Sequence, residues 1–112
     1  MAVRVDEYNQ VAVMTVEGDL TADNAAILRK NVEERIEKRH IADFIVDLEH
    51  CGFIDSEGLE TLLWLKRRSE DLFGQTKLAG IDDNCKKILE ITRLEHRFEC
   101  QQDLAAALKM MR

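Results

Sequence analysis

A short polar stretch, "DSEG" at residues 55–58, carries the side chains best suited to chemistry in this chain. It follows the apolar run "DFIVDL" and precedes a leucine-rich segment, so it is expected between a strand and a helix. Ser56 can be the helix N-cap there, a role worth on the order of 1 kcal/mol that Asp55 could share. The same hydroxyl can also be an exposed acceptor for a phosphoryl group. The local sequence is compatible with both interpretations.

A phosphate on Ser56 would lie in a favourable local field although the chain is acidic. The carboxyl edge of an open α/β sheet is where sites are usually built. The free N–H groups at a helix start also favour an anion. The phosphate would add about −1.5 to −2 of charge and three acceptor oxygens at one surface point. That change is enough to abolish one partner contact or to create another.

The composition favours a single soluble globular domain over residues 1–112. Hydrophobic residues make up 46% and charged residues 34%, and the net charge of −6 argues against binding to nucleic acid. No apolar stretch has the length of a membrane span, and the N-terminus lacks a signal-peptide core. The three cysteines, Cys51, Cys85 and Cys100, are irregularly spaced, so reduced thiols and a cytoplasmic location are expected.

Neither an enzyme nor a cofactor is predicted. The chain has no glycine-rich phosphate loop and no Ser/His/Asp constellation. His96 and Cys100 have the spacing of metal ligands on a helix, but no second pair accompanies them, so no metal site is expected.

The periodicity of apolar residues predicts an α/β fold. "AVRVDEY" and "VAVMTVEG" alternate and should form a β-hairpin. The segment "LTADNAAILRKNVEERIEKRH" changes to a helical period, with Thr21 as its expected N-cap and Asp23 in its first turn. Its inward stripe consists of Ala25, Leu28, Val32 and Ile36.

The rest of the chain alternates strands and helices. "DFIVDL" should be a buried central strand, and a helix from Ser56 should end at Gly74 as its C-cap. "TKLAGI" and "RFEC" are expected as strands, and "DDNCKKILEITRL" and "QQDLAAALKMMR" as helices. The predicted fold is therefore a mixed sheet of four to five strands, with an N-terminal β-hairpin, covered by about four helices.

The combination of these motifs resembles the STAS domain (sulfate transporter and anti-sigma factor antagonist). The resemblance rests on "VEGDLTADNAAILRKNVEE" followed by "DFIVDLEHCGFIDSEGLETLLWLKRR", and it covers essentially the whole chain. It implies a bacterial regulator that switches partners. Ser56 would be phosphorylated by a serine kinase that is also an anti-sigma factor. The unphosphorylated form would bind that kinase, the phosphorylated form would not, and a serine phosphatase would reset the protein.

Three positions depart from the family pattern. Glu57 places a fixed negative charge where many members have Ser or Thr, and Thr21 occupies a position where an Asp often contacts the kinase. Glu60 and Trp64 replace the small residues common on the exposed side of the second helix. Trp64 is expected at the margin of the core, or as a partner anchor if exposed. The residues expected at the partner surface are Thr21, Asp23, Asp55, Ser56, Glu57, Gly58, Glu60 and Trp64.

An alternative function keeps the fold without the switch. The chain would then be an accessory STAS subunit of a lipid transporter, binding a transporter ATPase, or of a stress-signalling complex. Glu57, Thr21 and Trp64 favour this alternative modestly.

Overall fold

Strands and helices alternate along the chain after an initial pair of strands. The computed structural model describes residues 3–111. The elements are β1 (Val3–Tyr8), β2 (Val11–Glu17), α1 (Ala22–Arg39), β3 (Asp43–His50), α2 (Ser56–Asp71), β4 (Thr76–Ala79), α3 (Asp83–Ile91), β5 (Glu99–Gln101) and α4 (Leu104–Met110). The predicted element order and α/β fold class are confirmed. Residue 2 of the predicted first strand and residue 112 of the predicted last helix lie outside the described residues.

The five strands form one mixed sheet in the order β1-β2-β3-β4-β5. The β1 and β2 strands form the predicted antiparallel hairpin, in which Val3 faces Val16 and Tyr8 faces Val11. The other neighbouring pairs are parallel. The carboxyl ends of β2 to β5 therefore share one edge of the sheet. The connections from β2 to α1 and from β3 to α2 both leave from this edge.

The sheet buries both faces against helices. Alternate residues of β3 divide between the faces, with Phe44 and Val46 in the large core beneath α1, α2 and α3, and Ile45 in a smaller cluster beneath α4. This explains why the sequence of β3 reads as an apolar run rather than as an alternation. Within residues 3–111, no helix is both long and apolar enough to cross a membrane.

Several helix ends differ from the predicted ones. Thr21 is the N-cap residue of α1, as predicted, although its side chain makes no capping hydrogen bond. The α3 helix ends at Ile91, before the predicted Leu94. The prediction of Gly74 as the C-cap of α2 is wrong, since Leu72 is the C-cap and Phe73 adopts the left-handed conformation, with φ of 64°.

Gly74 is needed for a close approach instead. A β-carbon at this position would lie 2.0 Å from the carbonyl oxygen of Ala42 and 2.9 Å from the Ala42 β-carbon. Ala42 immediately precedes β3, so this contact packs the chain after α2 against the start of the central strand. Only a residue without a side chain fits between them.

We expect Gly74→Ala to lower the free energy of unfolding by about 1–3 kcal/mol, because the backbone of Ala42 must shift to admit a methyl group. Urea denaturation monitored by circular dichroism measures the change. Gly52→Ala is the matched control. A β-carbon at Gly52 meets its nearest atom, Asp19 Oδ1, at 3.7 Å, so a change within about 0.5 kcal/mol is expected. Equal losses in the two variants would contradict this account of Gly74.

Candidate functional site

The loop between β3 and α2, residues 51–55, is held in place by Leu20 of the neighbouring connection. The Leu20 N–H donates to the Phe53 carbonyl at 2.9 Å, and the Asp55 N–H donates to the Leu20 carbonyl at 3.2 Å. Leu20 and Ile54 pair as an isolated parallel bridge, and both side chains are buried. The "GDL" and "FIDSEGL" motifs of the sequence are therefore joined to each other by backbone hydrogen bonds in the fold.

Gly58 allows α2 to approach this bridge. A β-carbon at Gly58 would lie 2.2 Å from the Leu20 carbonyl oxygen and 2.9 Å from the Ile54 side chain. Gly58 is itself buried. Gly58 was predicted to bind a partner, and that role stays a prediction. It faces Leu20 and allows close packing, which fixes the position of the helix start.

Asp55 caps α2, which leaves the Ser56 hydroxyl without a capping role. The Asp55 Oδ1 atom accepts a hydrogen bond from the Gly58 N–H at 2.8 Å, and Ser56 is the first residue of the helix. Ser56 is exposed, and within residues 3–111 its side chain makes no hydrogen bond. Of the two interpretations that the sequence left open, the serine cap is wrong. The acceptor interpretation is compatible with the geometry.

The side chains beneath the β3–α2 loop include two uncharged thiols, those of Cys51 and Cys85. The Cys85 thiol on α3 donates to the Cys51 carbonyl at 3.3 Å, and the Cys51 thiol donates to the Phe53 carbonyl at 3.3 Å. Desolvation by burial raises the pKa of both thiols above the usual cysteine value. The thiols therefore stay protonated at neutral pH. They serve as small buried side chains and weak donors beneath the loop.

A groove of about 300 Å³ lies between the amino-terminal halves of α1 and α2 and reaches Glu57, the residue directly after Ser56. Its α1 side is built from Ala22, Ala25 and Ala26, and Glu57 and Glu60 line its α2 side. The positively charged Arg29 side chain also lines the groove. The Arg29 Nη2 atom donates to Thr61 Oγ1 at 3.2 Å.

Trp64 lies at the margin of the core, as predicted. Its ring is half-buried against the core residues, and the Arg29 guanidinium lies 4.7 Å from the ring centroid. This geometry allows a favourable cation–π interaction, which keeps both side chains ordered beside the groove.

The structure brings most of the predicted partner-binding residues to one edge of the sheet. Asp23 on α1 and Ser56, Glu57 and Glu60 on α2 are exposed, whereas Thr21 and Asp55 are half-buried. Two residues of this surface were missed. Phe53 is 46% exposed in the loop, and an aromatic residue flanking the "IDS" signature was its only sequence signal. No sequence pattern pointed to Arg29, because its contacts depend on how two helices that are separate in the sequence pack together.

The helical ligand spacing of His96 and Cys100 does not exist in the fold. His96 lies in the turn after α3, and Cys100 lies in β5. Across residues 3–111, no group of three or more His, Cys, Asp or Glu side chains is arranged to hold a metal ion.

The fold and this loop define the class of the protein. The chain belongs to the STAS domain family, whose model matches residues 2–107.

Individual relatives are distant in sequence and close in fold. The anti-sigma F factor antagonist of Paenibacillus polymyxa is 18% identical over 94 residues, which cover 84% of this chain and 80% of that protein. The Bacillus cell fate determinant SpoIIAA, solved in its phosphorylated form, superposes with a TM-score of 0.77 at 20% identity. That match covers 99% of this chain and 100% of the other. An anti-sigma factor antagonist from Mycobacterium paratuberculosis has a TM-score of 0.83 at 19% identity, covering 97% and 92% of the two chains.

We expect Asp55→Ala to lower the free energy of unfolding by about 1 kcal/mol, because the Gly58 N–H loses its acceptor. Ser56→Ala should change it by less than about 0.5 kcal/mol, since an exposed hydroxyl without a partner is removed. Chemical denaturation of both variants tests the assignment of the cap. A larger loss in Ser56→Ala than in Asp55→Ala would show that the serine is the cap after all.

Proposed function

We propose that this protein is a partner-switching regulator of the anti-sigma factor antagonist type. In its unphosphorylated form it binds a serine kinase that is also an anti-sigma factor, and phosphorylation of Ser56 releases it. A serine phosphatase restores the binding form. The observation that carries the proposal is the exposure of Ser56 at the start of α2, next to a cap that Asp55 provides without it.

The serine content of the chain makes the modification specific. The sequence contains two serines, Ser56 and Ser69. Ser69 is fully buried within α2, and its hydroxyl donates to the Ala42 carbonyl at 2.9 Å. A kinase that acts on serine in the folded protein therefore reaches Ser56 alone. The relatives support the type of switch, since one of them is known in a phosphorylated form.

Charge and hydration explain how the phosphate would prevent binding. Ser56 is followed on α2 by the exposed carboxylates of Glu57 and Glu60, and Asp23 is exposed in the first turn of α1, which starts from the same edge of the sheet. A phosphoryl group adds about −1.5 to −2 of charge among them. Closing a partner over this cluster would remove water from several negative groups at once, which is unfavourable unless each one finds a cation. The proposed function is binding, without catalysis, in the cytoplasm where a sigma factor acts.

An accessory STAS subunit is the second candidate function. The specific observation in its favour is Glu57, which is exposed in the first turn of α2 directly after Ser56. A permanent charge at this position resembles part of the charge that phosphorylation would add. In that case a transporter ATPase or a stress-signalling assembly would bind the protein regardless of the state of Ser56.

The test is capture of partners from the native cell, with the unmodified chain and the Ser56→Ala and Ser56→Asp variants as baits. We expect Ser56→Ala to retain a kinase identified by mass spectrometry. Ser56→Asp should bind it at least about tenfold more weakly, equivalent to about 1.4 kcal/mol. The purified kinase with ATP should add one phosphate to the unmodified chain and none to Ser56→Ala.

Gln102→Asp is the matched control, because it adds the same charge at an exposed position in the turn before α4. It should bind the kinase as the unmodified chain does. Capture of a transporter ATPase by all variants alike would select the accessory-subunit function. A kinase that binds all variants equally and leaves Ser56 unmodified would contradict the switch.

A further inference from the structure

The end of α2 carries a phenylalanine that neither the backbone nor the core of its own chain explains. The Phe73 N–H donates to the Glu70 carbonyl, and the Gly74 N–H donates to the Ser69 carbonyl. These bonds form the motif that closes a helix with one left-handed residue, a position where glycine is favoured because a β-carbon is strained. Phe73 occupies it with φ of 64° and a side chain that is 100% exposed. We therefore infer a role at the protein surface.

An open pocket of about 290 Å³ lies beside Leu72, the residue directly before this phenylalanine. It is lined by Ile36 of α1, by His40, Ile41 and Ala42 of the following connection, and by Leu72, the C-cap of α2. Leu72 directly precedes Phe73, so the exposed ring and the pocket belong to one surface. This surface, formed by Phe73 and the five pocket residues, is called the α2-end patch below.

We propose that the α2-end patch binds a second copy of this chain in a two-fold symmetric dimer. Phe73 of each copy lies in the pocket of the other. A protruding apolar group and a largely aliphatic pocket on the same patch are the two halves of a self-complementary interface. A two-fold axis satisfies both halves at once and closes the assembly at two copies.

The charges beside the patch are complementary under this symmetry. Asp71 ends α2 and Lys38 lies in the last turn of α1, and both are exposed. Neither forms an ion pair within residues 3–111, whereas the nearby Arg39 and Glu70 pair with Glu7 and Lys66. The axis brings the acidic end of α2 towards the basic end of α1 in the other copy, twice. These contacts favour one orientation against the general repulsion of chains with net charge −6.

The α2-end patch is separate from the Ser56 surface. The 16 residues of α2 span about 24 Å, with Ser56 at one end and Phe73 beyond the other. Both surfaces are therefore open at the same time. The dimer does not depend on the proposed function, and Ser56→Asp should leave self-association unchanged.

Sedimentation velocity of the whole chain near 150 mM salt tests the proposal. A patch of Phe73 and five pocket residues makes a small interface. We therefore expect monomers at about 1 μM and dimers at about 100 μM. Phe73→Gly should weaken dimerisation at least about tenfold, because it removes the aromatic anchor. The same variant should raise the melting temperature of the dilute monomer, because glycine relieves the left-handed strain.

Two further sets of variants distinguish this interface from non-specific hydrophobic association. Ile91→Ser removes another apolar side chain, which is 75% exposed at the end of α3, and it should leave the dimer intact. Asp71→Lys and Lys38→Asp should each weaken the dimer, and the double variant should restore it. A chain that stays monomeric at all concentrations would overturn the proposal. So would a dimer unaffected by Phe73→Gly, open-ended assemblies, or a dilute Phe73→Gly monomer that melts earlier.

Discussion

Two backbone hydrogen bonds between Leu20 and the β3–α2 loop determine where Ser56 lies. They join the connections that leave two adjacent parallel strands, and the buried side chains of Leu20 and Ile54 form a bridge beside them. Leu20 is fully buried, so breaking these bonds would leave its N–H and carbonyl groups without partners, which is costly. The loop therefore has little freedom. Gly58 then lets the first turn of α2 pack directly on the Leu20 carbonyl, so the helix start is fixed by the same contact.

The order of the strands makes this contact possible. Each strand pairs with its neighbours in the sequence, and the parallel pairing of β2 with β3 brings the two connections to the same edge. The large core beneath α1, α2 and α3 then sets the angle at which α2 leaves the sheet. The groove beside Ser56 follows from this packing, since small alanines on α1 face acidic side chains on α2.

The sequence predicted those features that depend on residues close together in the chain. The alternation in β1 and β2 and the stripe of Ala25, Leu28, Val32 and Ile36 are local patterns, so the hairpin and α1 were correctly expected. The choice of cap was not local. Asp55 and Ser56 can both cap a helix, and the backbone bond from Asp55 to Leu20 decides between them.

Long-range contacts also explain the other differences. Glycine is the expected residue in the left-handed position after a helix, which pointed to Gly74. In the structure, Phe73 occupies that left-handed position. Glycine is required at the next residue, Gly74, where the chain contacts Ala42. The contact of Arg29 with Trp64 joins two helices whose relative position no local pattern reveals.

The carboxylate cap of α2 has a consequence for how the surface can signal. Because Asp55 caps the first turn through the Gly58 N–H, a group added to the Ser56 oxygen would not take away the atom that makes the cap. Under the proposed function, the switch would therefore not require a second conformation of the protein. A partner would then distinguish the phosphorylated from the unphosphorylated form by the charge of the surface at Ser56, on the same backbone fold.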